Sequence, residues 1–480
     1  MTPRGILRDV WILGAVAAAL ALRLVRLDAA PLWLDEVITA QWVPLGWADL
    51  LRTVAADNHP PLYFVGLKAW VLATGAAPWD LRLPSVFLSA AAVALVAVAG
   101  DALGGRATAR WGAWFAALSP YLVQHAQEAR MYALVTLLAA ANVAYLVRWV
   151  RGTGARLGVG FVLSALGMVA SHYYTVFFLG GEVLALLVVW RRPLASWLPA
   201  AVTVSVASGA ALLAAALLAA HKAGGAYEMG MLAVPGAVWA MIAGYTALPD
   251  STALHAQGAH AALRFLPFAL GAAVPVGTLA VAGWRALDRS ARLVVLVPFA
   301  TTLAAPFAVR LVLGVAVNPR YFMATAPGVL LWLAAGASRS RVAGAALAVV
   351  LGVGLVRHLA DPGHGREDTR AAGAWLAAHV PAGEEVLVTS GEMELLARFH
   401  WPARRLRLYP PQGVVASREN ADRLAAEMPF PGGGQAVLVV GREWLTDPTG
   451  AFQAALESRY TPCVGTTVRG IRILCLRRSA

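Results

Sequence analysis

The chain has 480 residues, 59% of them hydrophobic and only 14% charged, with a mean hydropathy of +0.65. A water-soluble fold of that size cannot keep so much apolar surface off its exterior, so the composition excludes an ordinary soluble enzyme and points to a membrane as solvent. The net charge of +13, from 39 basic and 26 acidic residues, does not signal nucleic acid, because its bulk is arginine placed at the ends of apolar runs.

An apolar helix needs roughly 20 residues to cross the hydrocarbon core. Runs near that length cover 9–27, 83–103, 108–124, 131–150, 157–172, 173–190, 197–220, 262–284, 293–313, 321–337 and 342–359, about eleven spans. The first lacks a small-residue cleavage site and continues into Arg23 and Arg26, so it reads as a retained helix and not as a secretory signal. After it comes a loop, 28–80, too polar to span, with Trp33, Trp42 and Trp47 among short apolar stretches. Its pieces Glu36–Trp42 and Trp47–Ala55 suit amphipathic helices lying in the membrane interface.

Arginine sets the orientation, since short loops rich in Lys and Arg stay cytoplasmic. Arg4 and Arg8, Arg106 and Arg110, Arg148 with Arg151 and Arg156, Arg191 and Arg192, Arg285 with Arg289 and Arg292, and Arg339 with Arg341 fall at every second junction. The amino terminus is therefore expected inside a plasma (inner) membrane. The loops 28–80 and 221–261 and the tail from Asp361 are expected on the extracytoplasmic side.

Two domains follow: a membrane body, 1–360, and an extracytoplasmic α/β domain, 361–480. The tail alternates a helical pattern (Arg366–Val380), β-like runs at Glu385–Thr389, Leu406–Tyr409 and Ala436–Val440, and helices between them. Cys463 and Cys475 lie in two late β-like runs that turn near Arg469 and Gly470. A disulfide and two buried thiols both remain open there.

Ionisable groups gather on the outer side. Asp35 and Glu36 open an apolar run, where acids either cap a helix or act as a general base or cation ligand. Asn58-His59-Pro60-Pro61-Leu62-Tyr63 follows, the prolines starting a helix that carries Lys68. Arg82 stands on the outer side against the prevailing arginine distribution, which makes it a candidate phosphate ligand. Ser119-Pro120 leads into a short polar junction with Gln127, Glu128, Arg130 and Tyr132. His172 with Tyr173, and Arg320 with Tyr321, occupy two further outer junctions. Groups from six chain segments at one depth describe a polar cavity open to a lipid-borne anion. A transporter or flippase of a lipid-linked saccharide is the competing class. It is disfavoured by the lack of an internal repeat and by charges gathered at one surface.

In order and placement, Leu34-Asp35-Glu36, His59-Pro60-Pro61-Leu62-Tyr63, Arg82-Leu83-Pro84-Ser85, Glu128-Ala129-Arg130-Met131-Tyr132, His172-Tyr173 and Pro319-Arg320-Tyr321 form a set. On them the chain resembles the large integral-membrane glycosyltransferases of the C-type (GT-C) fold, in particular the bacterial family 39-like group. That group includes protein mannosyltransferases, aminoarabinose transferases and galacturonosyltransferases. The resemblance, over about residues 10–340, implies transfer of a hexosyl or pentosyl group from a polyprenyl-phosphate donor to a cell-envelope acceptor, usually with inversion.

It further implies that Asp35, supported by Glu36, deprotonates the acceptor or holds a divalent cation such as Mg or Mn, and that Lys68, Arg82, Arg130 and Arg320 take the donor phosphate. His59, Tyr63, Gln127, Glu128, Tyr132, His172, Tyr173 and Tyr321 then line the substrate cavity. One departure stands out: Leu67 precedes Lys68 where some relatives carry an acidic residue.

Overall fold

The computed structural model describes residues 3–57, 59–152, 154–189, 194–219, 233–250, 253–254, 257–313, 318–431 and 434–478. Asn58, Arg191, Arg192 and the first part of the expected loop 221–261 lie outside the described residues. The chain forms two compact units: Met1–Leu27, Thr39–Pro249 and Ala262–Pro362 make one, and Asp28–Ile38, Asp250–Ala261 and Gly363–Ala480 the other.

Among the described residues, six helices are long and apolar enough to cross a membrane: Pro78–Gly104, Tyr132–Arg151, Leu198–Ala215, His260–Ala286, Arg289–Ala308 and Arg341–Ala360. Shorter apolar helices include Val10–Leu24, Leu62–Thr74, Arg156–Val169 and Thr175–Val189. Two local differences from the sequence reading have plain causes. The run 108–124 is not one helix but two, Arg106–Leu118 and Pro120–Ala126. Pro120 drives Ser119 out of the helical region, to ψ 114°, and the Ser119 hydroxyl then caps the second helix by accepting the Leu122 N–H at 3.3 Å. The stretch 221–261, read as loop, contains the apolar helix Ala233–Ala243.

Several polar groups tie the first unit together where apolar packing alone would leave backbone groups unsatisfied. Pro84, inside Pro78–Gly104, cannot donate to the Asp80 carbonyl, and the Trp70 indole N–H takes that acceptor at 3.0 Å. Fully buried Arg23 reaches the carbonyls of Ala116 (3.1 Å) and Ala117 (3.3 Å) at the end of Arg106–Leu118, and the Ser89 hydroxyl at 2.7 Å. At the other end of its helix, Asp9 caps Val10–Leu24 and pairs with Arg106 at 2.6 Å and Arg110 at 2.9 Å. Burial opposes its ionisation, but the hydrogen bonds from Arg110 and Arg106 win and bring its pKa down to about 2. Close helix contact needs glycine at Gly336, where a Cβ would run into the Leu279 carbonyl, and at Gly354, where it would meet that of Ala243.

The second unit is built on a six-stranded sheet. Strands β1 (Glu385–Val388), β2 (Arg405–Leu408) and β3 (Gln435–Val440) are parallel, with β1 in the middle. β6 (Ile471–Arg478) runs antiparallel to β3 and pairs with β4 (Tyr460–Pro462) and β5 (Thr466–Val468). Leu387, Leu438, Leu456, Phe452 and Leu476 share one apolar cluster. At its edge Tyr460 donates its hydroxyl to the Ala425 carbonyl at 2.7 Å. Cys463 and Cys475 are disulfide-bonded, which resolves the alternative left open by their spacing.

Candidate active site

The polar junctions of the first unit meet around Arg130. This side chain is 3% exposed; one terminal nitrogen donates to the Thr39 hydroxyl at 3.2 Å and the other to His59 Nε2 at 2.8 Å, and its guanidinium lies 5.6 Å from the centre of the Phe64 ring. A guanidinium only donates, so His59 Nε2 carries the lone pair and its Nδ1–H goes to the Asp57 carbonyl at 2.9 Å. The Pro60-Pro61 segment is set beside the next junction by the Leu62 N–H, which donates to the Ala170 carbonyl at 3.0 Å.

That junction presents His172. Its Nδ1 accepts the Tyr174 N–H at 3.2 Å, which leaves the imidazole proton on Nε2. The ring packs 5.4 Å from Tyr321, 5.9 Å from Tyr174 and 6.0 Å from Tyr132, centre to centre. Burial, reinforced by the charges of Arg130 and Arg320, pushes its pKa down to about 3, so it is neutral at physiological pH. Asn318 caps the turn Pro319–Thr325 through the Arg320 N–H at 3.2 Å, fixing the segment that carries Arg320 and Tyr321. Arg130, Arg320 and His59, from three other segments, thus all lie within electrostatic reach of His172.

A second polar group adjoins them. His125 Nδ1 and Glu128 Oε2 are 2.9 Å apart, both side chains buried, and His125 Nε2 lies 3.3 Å from the Tyr245 hydroxyl. Tyr245 stacks on Tyr121 at 5.7 Å and is within electrostatic reach of Glu128, Tyr132 and Arg320. Thr39 and Tyr245 are absent from the sequence-derived set. Thr39 had a signal, being one helical turn beyond Asp35. Tyr245 had none, since the helix before it was read as loop.

The remaining expected residues are placed less centrally. Tyr63 is buried, with its hydroxyl 3.4 Å from that of Ser85. Arg82, 1% exposed, donates to the Leu27 carbonyl at 2.7 Å. Lys68 donates to the carbonyls of Val43 (3.1 Å) and Leu45 and sits 5.1 Å from the centre of the Trp47 ring, holding the turn between the helices Leu34–Trp42 and Trp47–Ala56. Gln127 commits both ends of its amide to the scaffold, donating to the carbonyls of Arg23 and Val25 and meeting His358 Nε2 at 2.9 Å. Tyr173 is half-buried, and burial raises its pKa.

Asp35 and Glu36 fall in the second unit, in the first turn of Leu34–Trp42. Adjacent helical residues diverge by about 100°, and their surroundings differ accordingly. Glu36 is fully buried; its carboxylate accepts the Trp33 N–H at 3.4 Å, the glutamate half of a capping box, while its own N–H donates to the Trp33 carbonyl at 2.9 Å. Asp35 is partly exposed. Among the described residues no group of three His, Cys, Asp or Glu side chains is placed to hold a metal. Magnesium and manganese favour about six oxygen ligands. Of the two carboxylates, Glu36 is the one that caps the helix, and an ion beside Asp35 would take its remaining ligands from water and the donor phosphate.

No protein-family model and no curated protein matches the sequence. The fold has counterparts among solved structures. ArnT from Cupriavidus metallidurans in the apo state superposes with a TM-score of 0.53 at 14% identity, over 97% of each chain. The same protein bound to undecaprenyl phosphate gives 0.51 at 15% identity, over 97% of this chain and 98% of that one. The apo oligosaccharyltransferase of Archaeoglobus fulgidus gives 0.50 at 12% identity, over 98% of this chain and 74% of that one. Both are membrane glycosyltransferases of the GT-C fold, and this chain has that fold.

Proposed function

We propose that the protein is a glycosyltransferase that moves a hexosyl or pentosyl group from a polyprenyl-phosphate donor to a cell-envelope acceptor. The reaction takes place at the extracytoplasmic face of the inner membrane, with the amino terminus cytoplasmic and about eleven spans. One observation carries the reading. Arg130, Arg320 and neutral His172 converge, among tyrosines, in a fold shared with a protein solved with undecaprenyl phosphate bound. Two arginines answer the charge of a phosphate. A histidine that stays neutral adds an Nε2–H donor without adding charge.

In this scheme Asp35 takes the proton of the acceptor hydroxyl, whose oxygen attacks the anomeric carbon from the face opposite the phosphate. The bond from that carbon to the phosphate oxygen breaks, the electron pair leaves with the phosphate, and the configuration inverts. The second negative charge that develops on the phosphate is met by Arg130 and Arg320, with Arg82 as a further candidate, where stabilisation matters most. Lys68 serves by holding the turn that follows Asp35's helix. Glu36 caps that helix.

The binding half of this reading is tested with undecaprenyl phosphate and undecaprenol, which share the chain and differ in the phosphate. The protein is expected to prefer the phosphate. Arg320→Met should weaken phosphate binding by about 10-fold to 100-fold, the loss of one or two charge-assisted hydrogen bonds, and leave undecaprenol binding unchanged. Equal affinity for the two lipids in the unaltered protein would contradict the proposal.

A further inference from the structure

The tail has no role in the scheme above, yet its own unit contains the segment Asp28–Ile38, which carries Asp35. Three side chains of the tail reach that segment. His400, the last residue of helix Gly391–His400, donates its Nε2–H to the Leu32 carbonyl at 2.8 Å. Arg366 lies 5.4 Å from the centre of the Trp33 ring. Arg370, on helix Thr369–His379, donates to the Asp28 carbonyl at 3.4 Å. They hold the segment on the amino-terminal side of Asp35, at the Asp28 and Leu32 carbonyls and the Trp33 ring.

The base from which they reach is itself braced. The Trp401 indole N–H donates to the Thr369 carbonyl at 2.9 Å and locks the two helices together. Glu367, beside Arg366, pairs with Arg442 at 2.6 Å, and Arg442 also pairs with Glu392. The Asp368 N–H donates to the Arg469 carbonyl at 2.8 Å. These contacts join both helices to the loops at the ends of the sheet. Burial lowers the His400 pKa, so its ring stays neutral and keeps one nitrogen protonated for donation.

We propose that the tail is a positioning device for the catalytic segment, in which His400, Arg366 and Arg370 fix the backbone that presents Asp35. The inference rests on Asp35 being the base, and a general base must be held within hydrogen-bond reach of its proton. A loop made mostly of Pro, Trp and small residues cannot supply that rigidity by itself.

Hydrogen exchange on the full chain tests it, with undecaprenyl phosphate binding measured in parallel. His400→Phe is expected to speed amide exchange across 32–36 by about tenfold or more and to leave β1 and β3 protected. His400→Gln, which keeps an N–H donor, should recover most of the protection, and phosphate binding should stay within about twofold in both. Unchanged exchange across 32–36 in His400→Phe would overturn the proposal. If His400→Phe loosens the whole sheet, Arg366→Leu, which removes the contact with Trp33, decides in the same way. Failure of the unaltered protein to bind undecaprenyl phosphate would instead sink the functional reading and leave the exchange result standing.

Discussion

At the scale of single residues, the site depends on which nitrogens carry protons. His59 turns its lone pair towards Arg130 and so holds a cation, whereas His172 turns a proton outward and remains neutral among cations. The second arrangement has a measurable cost in acid. Because the folded pKa of His172 lies at about 3, below the ordinary value of about 6.5, the unfolded chain binds a proton first as pH falls. The stabilising contribution is therefore complete above about pH 6.5 and is lost towards pH 3, by about 1.4 kcal/mol per pH unit. Between pH 7.5 and 5.5 the unaltered protein should lose about 2 °C or more of melting temperature beyond what His172→Gln loses. Parallel pH profiles for the two would show that His172 is not held neutral.

At the scale of elements, the helix Thr175–Val189 carries an anomaly. Glu182 is fully buried on it, and neither carboxyl oxygen has a hydrogen-bond partner among the described residues. Its neighbour Gly181 packs so closely on Arg289–Leu313 that a Cβ would strike the backbone of Pro298. A buried polar group without a partner costs about 1–3 kcal/mol. Glu182→Leu should therefore leave the fold intact and raise thermal stability by a few degrees, as read by a melt in detergent. A drop in stability would mean that the carboxyl has a partner in the membrane-embedded protein. The sequence made this helix legible through hydropathy alone, because apolar length is a local property. The same local reasoning ran 108–124 together although Ser119-Pro120 carried the break signal, whereas at Leu62–Thr74 the paired prolines marked the helix start.

At the scale of the whole molecule, the legible part was the fold class and the motifs near Arg130, His172 and Arg320, each short and polar at the end of an apolar run. Their common depth led to the expectation of a shared polar cavity. The rest depended on contacts distant in sequence. Nothing in Asp28–Ile38 says that it packs with residues beyond 363, and nothing in Gly244-Tyr245 says that its tyrosine meets His125. Gln127 and Lys68 looked like site residues because they are polar in apolar surroundings, but their hydrogen bonds go to backbone carbonyls of the scaffold. Polarity at membrane depth identifies groups that need partners; it does not say whether the partner is substrate or main chain.

The central claim is that this GT-C chain transfers a sugar with Asp35 as base, and it is tested most directly on purified protein in detergent, where no compartment exists for transport. Supplied with membrane extract containing labelled polyprenyl-phosphate sugars and envelope acceptors, the unaltered protein should convert donor to glycosylated product and free polyprenyl phosphate. Asp35→Asn should lower that rate by at least about 100-fold while still binding undecaprenyl phosphate. Undiminished transfer by Asp35→Asn would contradict the account.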